Sequence, residues 1–327
     1  MRCYGPRFIG TLVVRQSQDA VVAAIKKALD EAGIEIPFPY RTLTLHSDLR
    51  YGCRKSTLEP VVSPGFCASQ LEEYPIAMLL KQLIETDSST YTYLIACPET
   101  RKAILIDPVL DTVERDLQLI QDLELELIAS LDTHVHADHL TGAKRLKQRS
   151  GCKIACPAML DLPCVDIGLE EGRSFRVGNI EIHPLFTPGH TDHHHAYLID
   201  APVQKLLFSG DALLIDACGR TDFQSGNAGD LYNSIHNKFF SLPDETLVYP
   251  AHDYEGRFVS SIAQEKARNP RLGHGRSKED FVGLMESLDL PYPRKIDFAV
   301  PGNEACGECP ENVPEAFRGP CAASDQG

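Results

Sequence analysis

From about residue 91 onward, short apolar runs alternate with amphipathic stretches. Tyr91–Ala96 and Ala103–Asp107 flank Pro98-Glu99-Thr100 and read as paired strands around a turn. Val113–Leu123 places Leu117, Ile120 and Leu123 on one face, the spacing of a helix. Leu127-Ile128-Ala129-Ser130-Leu131 reads as a buried strand, and Ala143–Arg149 is helix-like. Lys153–Cys156 is a further short strand. Ser174–Val177 and Ile180–His183 flank the turn-prone pair Gly178-Asn179 and predict a hairpin. Leu185-Phe186, Leu206–Phe208 and Leu247–Tyr249 end the series as apolar strands. Strands and helices in alternation imply an α/β (α+β) fold, with sheets covered by helices on their outer faces.

The N-terminal region has a different pattern. Asp19–Ala32 carries Val21, Val22, Ile25, Ala28 and Leu29 on one side, with Lys26, Lys27, Asp30 and Glu31 between them. This predicts one amphipathic helix ended by Gly33. Ile34–Tyr40 runs extended, because residues that precede proline avoid the helical region. One helix and one strand bury too little surface to stand alone, so the segment packs on something or stays loose. The expected division is an N-terminal appendage (1–50), a linker (51–70), a main domain (71–309) and a C-terminal tail (310–327).

Composition narrows the function. The chain has 327 residues, 43% hydrophobic content and a formal net charge of −14. So acidic a surface disfavours nucleic acid and anionic membrane as partners. No run of about 18 apolar residues predicts a membrane span, and no apolar signal core opens the chain. The 11 cysteines are odd in number and irregular in spacing. That argues against a disulfide framework and favours a reducing cytoplasm. Cys306-Gly-Glu-Cys309 reads as a pair of plain tail cysteines, with zinc or redox use the lesser reading.

The chemistry gathers at Thr133–His139, where three imidazoles and a carboxylate leave the end of a strand. Such strand ends are where α/β sheets place ligands. His134 and His136 point the same way in an extended segment. Asp138 caps the next helix or reaches into the site. Three more apolar strands run into small residues followed by His190, Asp211 and His252. Imidazole and carboxylate together suit zinc or iron. His193-His194-His195 reads as a solvated strand entrance, and His183 as a surface residue of the hairpin. Cys218, beside Arg220, reads as a packed cysteine.

HxHxDH at 134–139, His190 in TPGHT, Asp211 in SGDA and His252 in YPAHDY resemble the ligand order of the metallo-β-lactamase superfamily. That resemblance implies the αβ/βα four-layer sandwich. The runs IDPVLDTVERDLQLI, THVHADHLTGA, GDALLIDACGRTDFQSG, LPDETLVYPAHDY, NPRL and IDFAVPGNEACG resemble the persulfide dioxygenases, over about residues 71–309. The resemblance implies one Fe(II) per chain on His134, His190 and Asp211. His136, Asp138, His139 and His252 would orient that centre. The implied substrates are glutathione persulfide and O2, and the products sulfite and glutathione. On this account the enzyme is cytoplasmic and compatible with a homodimer. Arg220 would clamp a glutathione carboxylate, or only pair with Asp222 to brace its loop; Thr221 would add a hydroxyl and Tyr197 an apolar wall. All seven donors also permit a second metal, so the competing expectation is a dinuclear zinc thioester hydrolase of the glyoxalase II type. The stretch DAVVAAIKKALDEAGIEIPFPYRTLTLH resembles the cytoplasmic end of small-conductance mechanosensitive channels.

Overall fold

A computed structural model describes residues 40–45, 78–201, 204–311 and 313–322. The helix expected at Asp19–Ala32 lies outside the described residues. Two mixed sheets face each other. The first holds seven strands, in the order β1 (Tyr40–Leu45), β2 (Met78–Glu85), β3 (Thr90–Ala96), β4 (Lys102–Ile106), β5 (Glu126–Leu131), β6 (Lys153–Pro157) and β7 (Ile167–Leu169). The second holds six: β8 (Phe175–Val177), β9 (Ile180–Phe186), β10 (His195–Asp200), β11 (Lys205–Gly210), β14 (Leu247–Pro250) and β15 (Ser260–Ser261). A small hairpin, β12 (Leu213–Leu214) with β13 (Ala217–Cys218), follows β11.

The core between the sheets is apolar on both sides. Tyr93, Ile95, Ile104, Ile106, Ala129 and Leu131 of the first sheet meet Ile182, Tyr197, Ile199, Leu206, Phe208 and Tyr249 of the second. Helices seal the outer faces. Val113–Asp122, Ala143–Ser150 and Ile296–Glu304 pack on the first sheet. Ala228–Ser234, Ile262–Arg268 and Lys278–Glu286 pack on the second. This is the four-layer sandwich expected from the sequence. Strands buried on both faces read as continuous apolar runs, which is why Leu94–Ala96 and Leu105-Ile106 were visible as strands.

Two points of the expected strand pattern are refined. The hairpin forms at Gly178-Asn179, and its second strand runs unbroken to Phe186, so Leu185-Phe186 is its end and not a separate strand. The strand Met78–Glu85 was not singled out by the pattern. It pairs antiparallel with Tyr40–Leu45, so the N-terminal strand adds an edge to the first sheet.

The cysteine expectation is corrected. Cys164 is bridged to Cys306, and Cys309 to Cys321. Cys306 and Cys309 therefore belong to different bridges, and the CxxC is no redox or zinc pair. Cys164 and Cys306 are separated by 142 residues, so only the fold brings them together. Cys218 is buried against Met285, as a packing cysteine should be.

Candidate metal centre

Four strand ends deliver the expected side chains to one edge of the sandwich: the loop after β5, the loop after β9, the end of β11 and the end of β14. His134, His190 and Asp211 each offer one donor atom, and these atoms lie within 4.8 Å of one another. His190 Nε2 is 3.5 Å from Asp211 Oδ2. His252 Nε2 lies 3.4 Å from Asp211 Oδ1 and 3.6 Å from Asp138 Oδ2. His136, Asp138 and His139 form a second cluster of the same kind beside the first. Asp138 points into the site and does not cap the following helix, whose N-cap is Gly142. It accepts from His139 Nδ1 at 3.0 Å and from the Thr90 hydroxyl at 3.3 Å.

The tautomers follow from fixed partners. A carbonyl only accepts, so His190 donates from Nδ1 to the carbonyl of Arg220, and its Nε2 carries the lone pair. His252 likewise faces the Ser89 carbonyl through Nδ1. Asp107 determines the other pair. It accepts the Thr133 backbone N–H at 2.7 Å and the Thr133 hydroxyl at 3.1 Å. With its proton given to Asp107, the Thr133 oxygen accepts from His134 Nδ1 at 2.9 Å. His134 Nε2 is thereby left with a lone pair. Asp107 Oδ1, the oxygen that accepts the Thr133 N–H, also takes His136 Nε2 at 3.1 Å. Asp107 has φ of 49°, a left-handed conformation that Asp tolerates better than most residues. Its carboxylate is what the two histidines share.

Electrostatics separates these two histidines. Burial first, then the neighbouring imidazoles, push His134 well below the usual histidine range. Burial also pulls His136 down, but the carboxylates of Asp107, foremost, Asp132 and Asp138 together outweigh it and raise it to about 9. Asp138 is held well below the usual carboxylate range, because His139 and His252 outweigh its burial.

The arrangement fits a cation. Asp211 Oδ1, His136 Nδ1 and His139 Nε2 are buried polar atoms without a hydrogen-bond partner. Such atoms are costly unless something satisfies them, and nitrogen with carboxylate oxygen is the donor chemistry of iron and zinc.

Two expectations for this region are corrected. His193, His194 and His195 are 9%, 0% and 4% exposed, so this is no solvated entrance. His194 Nε2 accepts the Asp211 backbone N–H at 3.2 Å, and its Nδ1 donates to Thr187 Oγ1 at 2.8 Å. A Cβ at Gly210 would lie 2.5 Å from His194 Nε2, so glycine is needed there. His193 Nε2 accepts from the Val135 backbone at 3.0 Å. Both residues hold the donor loops from behind. Tyr197 is also misplaced: its ring is fully buried in the inter-sheet core and its hydroxyl donates to the Asp132 carbonyl at 2.6 Å. It forms no wall of the site.

The GRTDFQ run borders His190 and Asp211. Arg220 donates from Nε and Nη2 to both oxygens of Asp222, each at 2.7 Å, and from Nη1 to the Pro291 carbonyl at 2.9 Å. Its guanidinium lies 4.6 Å from the Phe223 ring centroid. Thr221 is half-buried in the same loop. Gln224 donates to the Val135 carbonyl at 2.7 Å, tying this run to the histidine loop. Asp107, Thr133, His194 and Gln224 are functional neighbours that sequence reasoning missed. Their partners are remote or backbone atoms, which local spacing does not show.

Residues 86–252 match the Metallo-beta-lactamase superfamily profile. The persulfide dioxygenases ETHE1 of Homo sapiens and Mus musculus, both named as mitochondrial, are 46% identical over 231 residues, 70% of this chain and 89% of theirs. The crystal structure of ETHE1 from Myxococcus xanthus is 50% identical, with a TM-score of 0.67, over 70% of this chain and 99% of that one. A hydroxyacylglutathione hydrolase of Pseudomonas putida (strain GB-1) is 32% identical over 64% of this chain and 78% of its own length. The channel-like stretch lies outside the matched 86–252. By profile, fold and identity, the chain belongs to the persulfide dioxygenase family of the metallo-β-lactamase superfamily and is an oxidoreductase.

Proposed function

We propose that the enzyme uses one Fe(II), held by His134, His190 and Asp211, to oxidise glutathione persulfide with O2. The observation that carries this reading is the convergence of those three donors, with both imidazoles fixed in the tautomer that presents Nε2. Two histidines and one carboxylate leave the remaining positions of such a metal free for substrates. Fe(II) bound there would supply electrons for O2 activation. The overall reaction consumes persulfide, O2 and one water and releases thiol, sulfite and two protons. The terminal sulfur is oxidised and O2 is reduced.

The residues of the chain orient and hold. Asp107 orients His134 through Thr133 and engages His136 directly. Asp138 accepts from His139 and faces His252 Nε2 at 3.6 Å, and partners of this kind tune donor strength. Arg220 supplies the substrate clamp. A guanidinium has five N–H donors, and three are engaged by Asp222 and Pro291. Asp222 thus presents it rigidly, with two donors left for a carboxylate. Thr221 adds a hydroxyl beside it.

A second reading has an observation of its own. The buried, partnerless His136 Nδ1 and His139 Nε2 suit a second cation, as in a dinuclear zinc thioester hydrolase. The lower identity to the hydroxyacylglutathione hydrolase weighs against it. Location belongs to the proposal as well. The sequence favours the cytoplasm, but the two bridges weaken its cysteine argument and the mammalian relatives are named as mitochondrial. Among the described residues no helix is long and apolar enough to cross a membrane.

The experiment is metal analysis of anaerobically purified protein together with O2 uptake on glutathione persulfide. One iron per chain and O2 consumption are expected. Two zinc ions per chain, thioester hydrolysis and no O2 uptake overturn the proposal.

A further inference from the structure

The C-terminal run IDFAVPGNEACG has no part in the donor set, yet it packs directly on the loop that carries it. Its helix, Ile296–Glu304, buries Phe298 and Ala299 under the first sheet. A Cβ at Gly302 would lie 2.5 Å from Leu140 Cδ2, and one at Gly307 would lie 2.0 Å from the Thr141 carbonyl oxygen. The Lys144 backbone N–H donates to the Cys306 carbonyl at 3.0 Å, and the bridge to Cys164 anchors the same turn.

At the centre of this contact is Asn303, 5% exposed. Its Nδ2 donates to the carbonyls of both His136 and His139, each at 2.8 Å, and its Oδ1 accepts the Thr141 backbone N–H at 2.8 Å. The orientation of the amide is determined. Flipped, its oxygen would face two carbonyls and its NH2 group would face an N–H. One carboxamide therefore pins the two residues whose side chains present the partnerless Nδ1 and Nε2 to the site.

We propose that Asn303 is a positioning residue for the metal loop. It fixes the backbone at His136 and His139, and with it the direction in which their imidazoles and the intervening Asp138 leave the chain. Asn303 acts through these residues and touches no substrate. The inference rests on the proposal that this loop surrounds a bound metal.

Asn303→Asp tests it. The change keeps size and the acceptor for Thr141 but removes both donors and places an oxygen against the two carbonyls. Metal retention is measured by competition with a chelator, and site geometry by the visible spectrum of the Co(II)-loaded protein. Asn303→Asp is expected to lose about 10–100-fold in metal affinity, the usual scale for such outer partners, and to shift the Co(II) bands. Phe298→Ala on the same helix removes a ring packed in the outer-face cluster and against Phe317, with no hydrogen bond to the metal loop, so it should lower the melting temperature while leaving affinity and spectrum as in the parent. Asn303→Ser repeats the readouts if the Asp variant does not fold. Parent-like affinity and spectrum in a folded Asn303 variant overturn the inference. So does equal metal loss in Phe298→Ala, which would reduce Asn303 to helix stability. A parent protein that itself binds no metal would instead overturn the metal-centre reading.

Discussion

His190 donates from Nδ1 to the Arg220 carbonyl at 2.7 Å. One bond thus joins a donor of the metal centre to the loop proposed to hold the substrate. It fixes the histidine tautomer and aims Nε2 at Asp211. The same run also reaches the centre through Gly219, whose N–H donates to the Asp211 carbonyl at 2.9 Å, and through Gln224 on the Val135 carbonyl.

The first prediction concerns that loop. Arg220→Ala should raise KM for glutathione persulfide while metal content holds, by about 1.5–3 kcal/mol, the scale of a hydrogen bond to a charged group. Asp222→Asn should give a smaller rise, because the guanidinium stays but loses its charged support. The check is steady-state kinetics on both variants with iron measured in parallel. Unchanged KM in Arg220→Ala would leave the residue as a brace for Asp222 and Pro291 alone.

A second prediction follows from the charge on His136. Its value in the metal-free fold is raised to about 9, against an ordinary 6.5. A group raised on folding stabilises fully below its unfolded value, and that stability is lost as pH climbs through the folded one. Asp132, which burial raises to about 7, acts in the same direction at lower pH. The melting temperature of metal-free protein should therefore fall between about pH 6.5 and 9. Asp107→Asn removes the main raising partner and should flatten that slope. A melting temperature that rises over this range would contradict the assigned ion pair.

The N-terminal segment supplies a third. All the donors lie at or beyond His134, and Tyr40–Leu45 only extends the edge of the first sheet. A chain beginning near Ser69 should bind metal and turn over normally. It would expose the edge of Met78–Glu85, and bare strand edges invite association. Light scattering should show more self-association and activity assays no loss. Insolubility or lost metal would show that the removed residues cover core surface.

The parts legible in the sequence were those with local signals. Strands ending in His or Asp beside small residues stood out, and the four ends meet at one edge as expected. What escaped depended on contacts through space. Alternation alone placed His193-His194-His195 at a solvated entrance, because nothing local shows that Thr187, Val135 and Asp211 converge on them. Tyr197 was given a wall of the site because period-two patterning separates two faces without saying which one is core. The bridge between Cys164 and Cys306 and the contacts of Asn303 span more than a hundred residues, beyond any spacing rule.

With one metal held by His134, His190 and Asp211, His136 only supports it. His134 and His136 are two residues apart, with ring centroids 4.2 Å apart, yet Asp107 reaches them differently. It presents His134 Nε2 through Thr133 and pairs directly with His136 Nε2. The measurement is iron content and O2 uptake of His134→Ala and His136→Ala, purified anaerobically side by side. His134→Ala should come out nearly metal-free and inactive. His136→Ala should keep part of its iron and turn over, with the loss of about 10–100-fold typical of an outer partner. Complete and equal loss of metal in both variants would contradict the single-metal account.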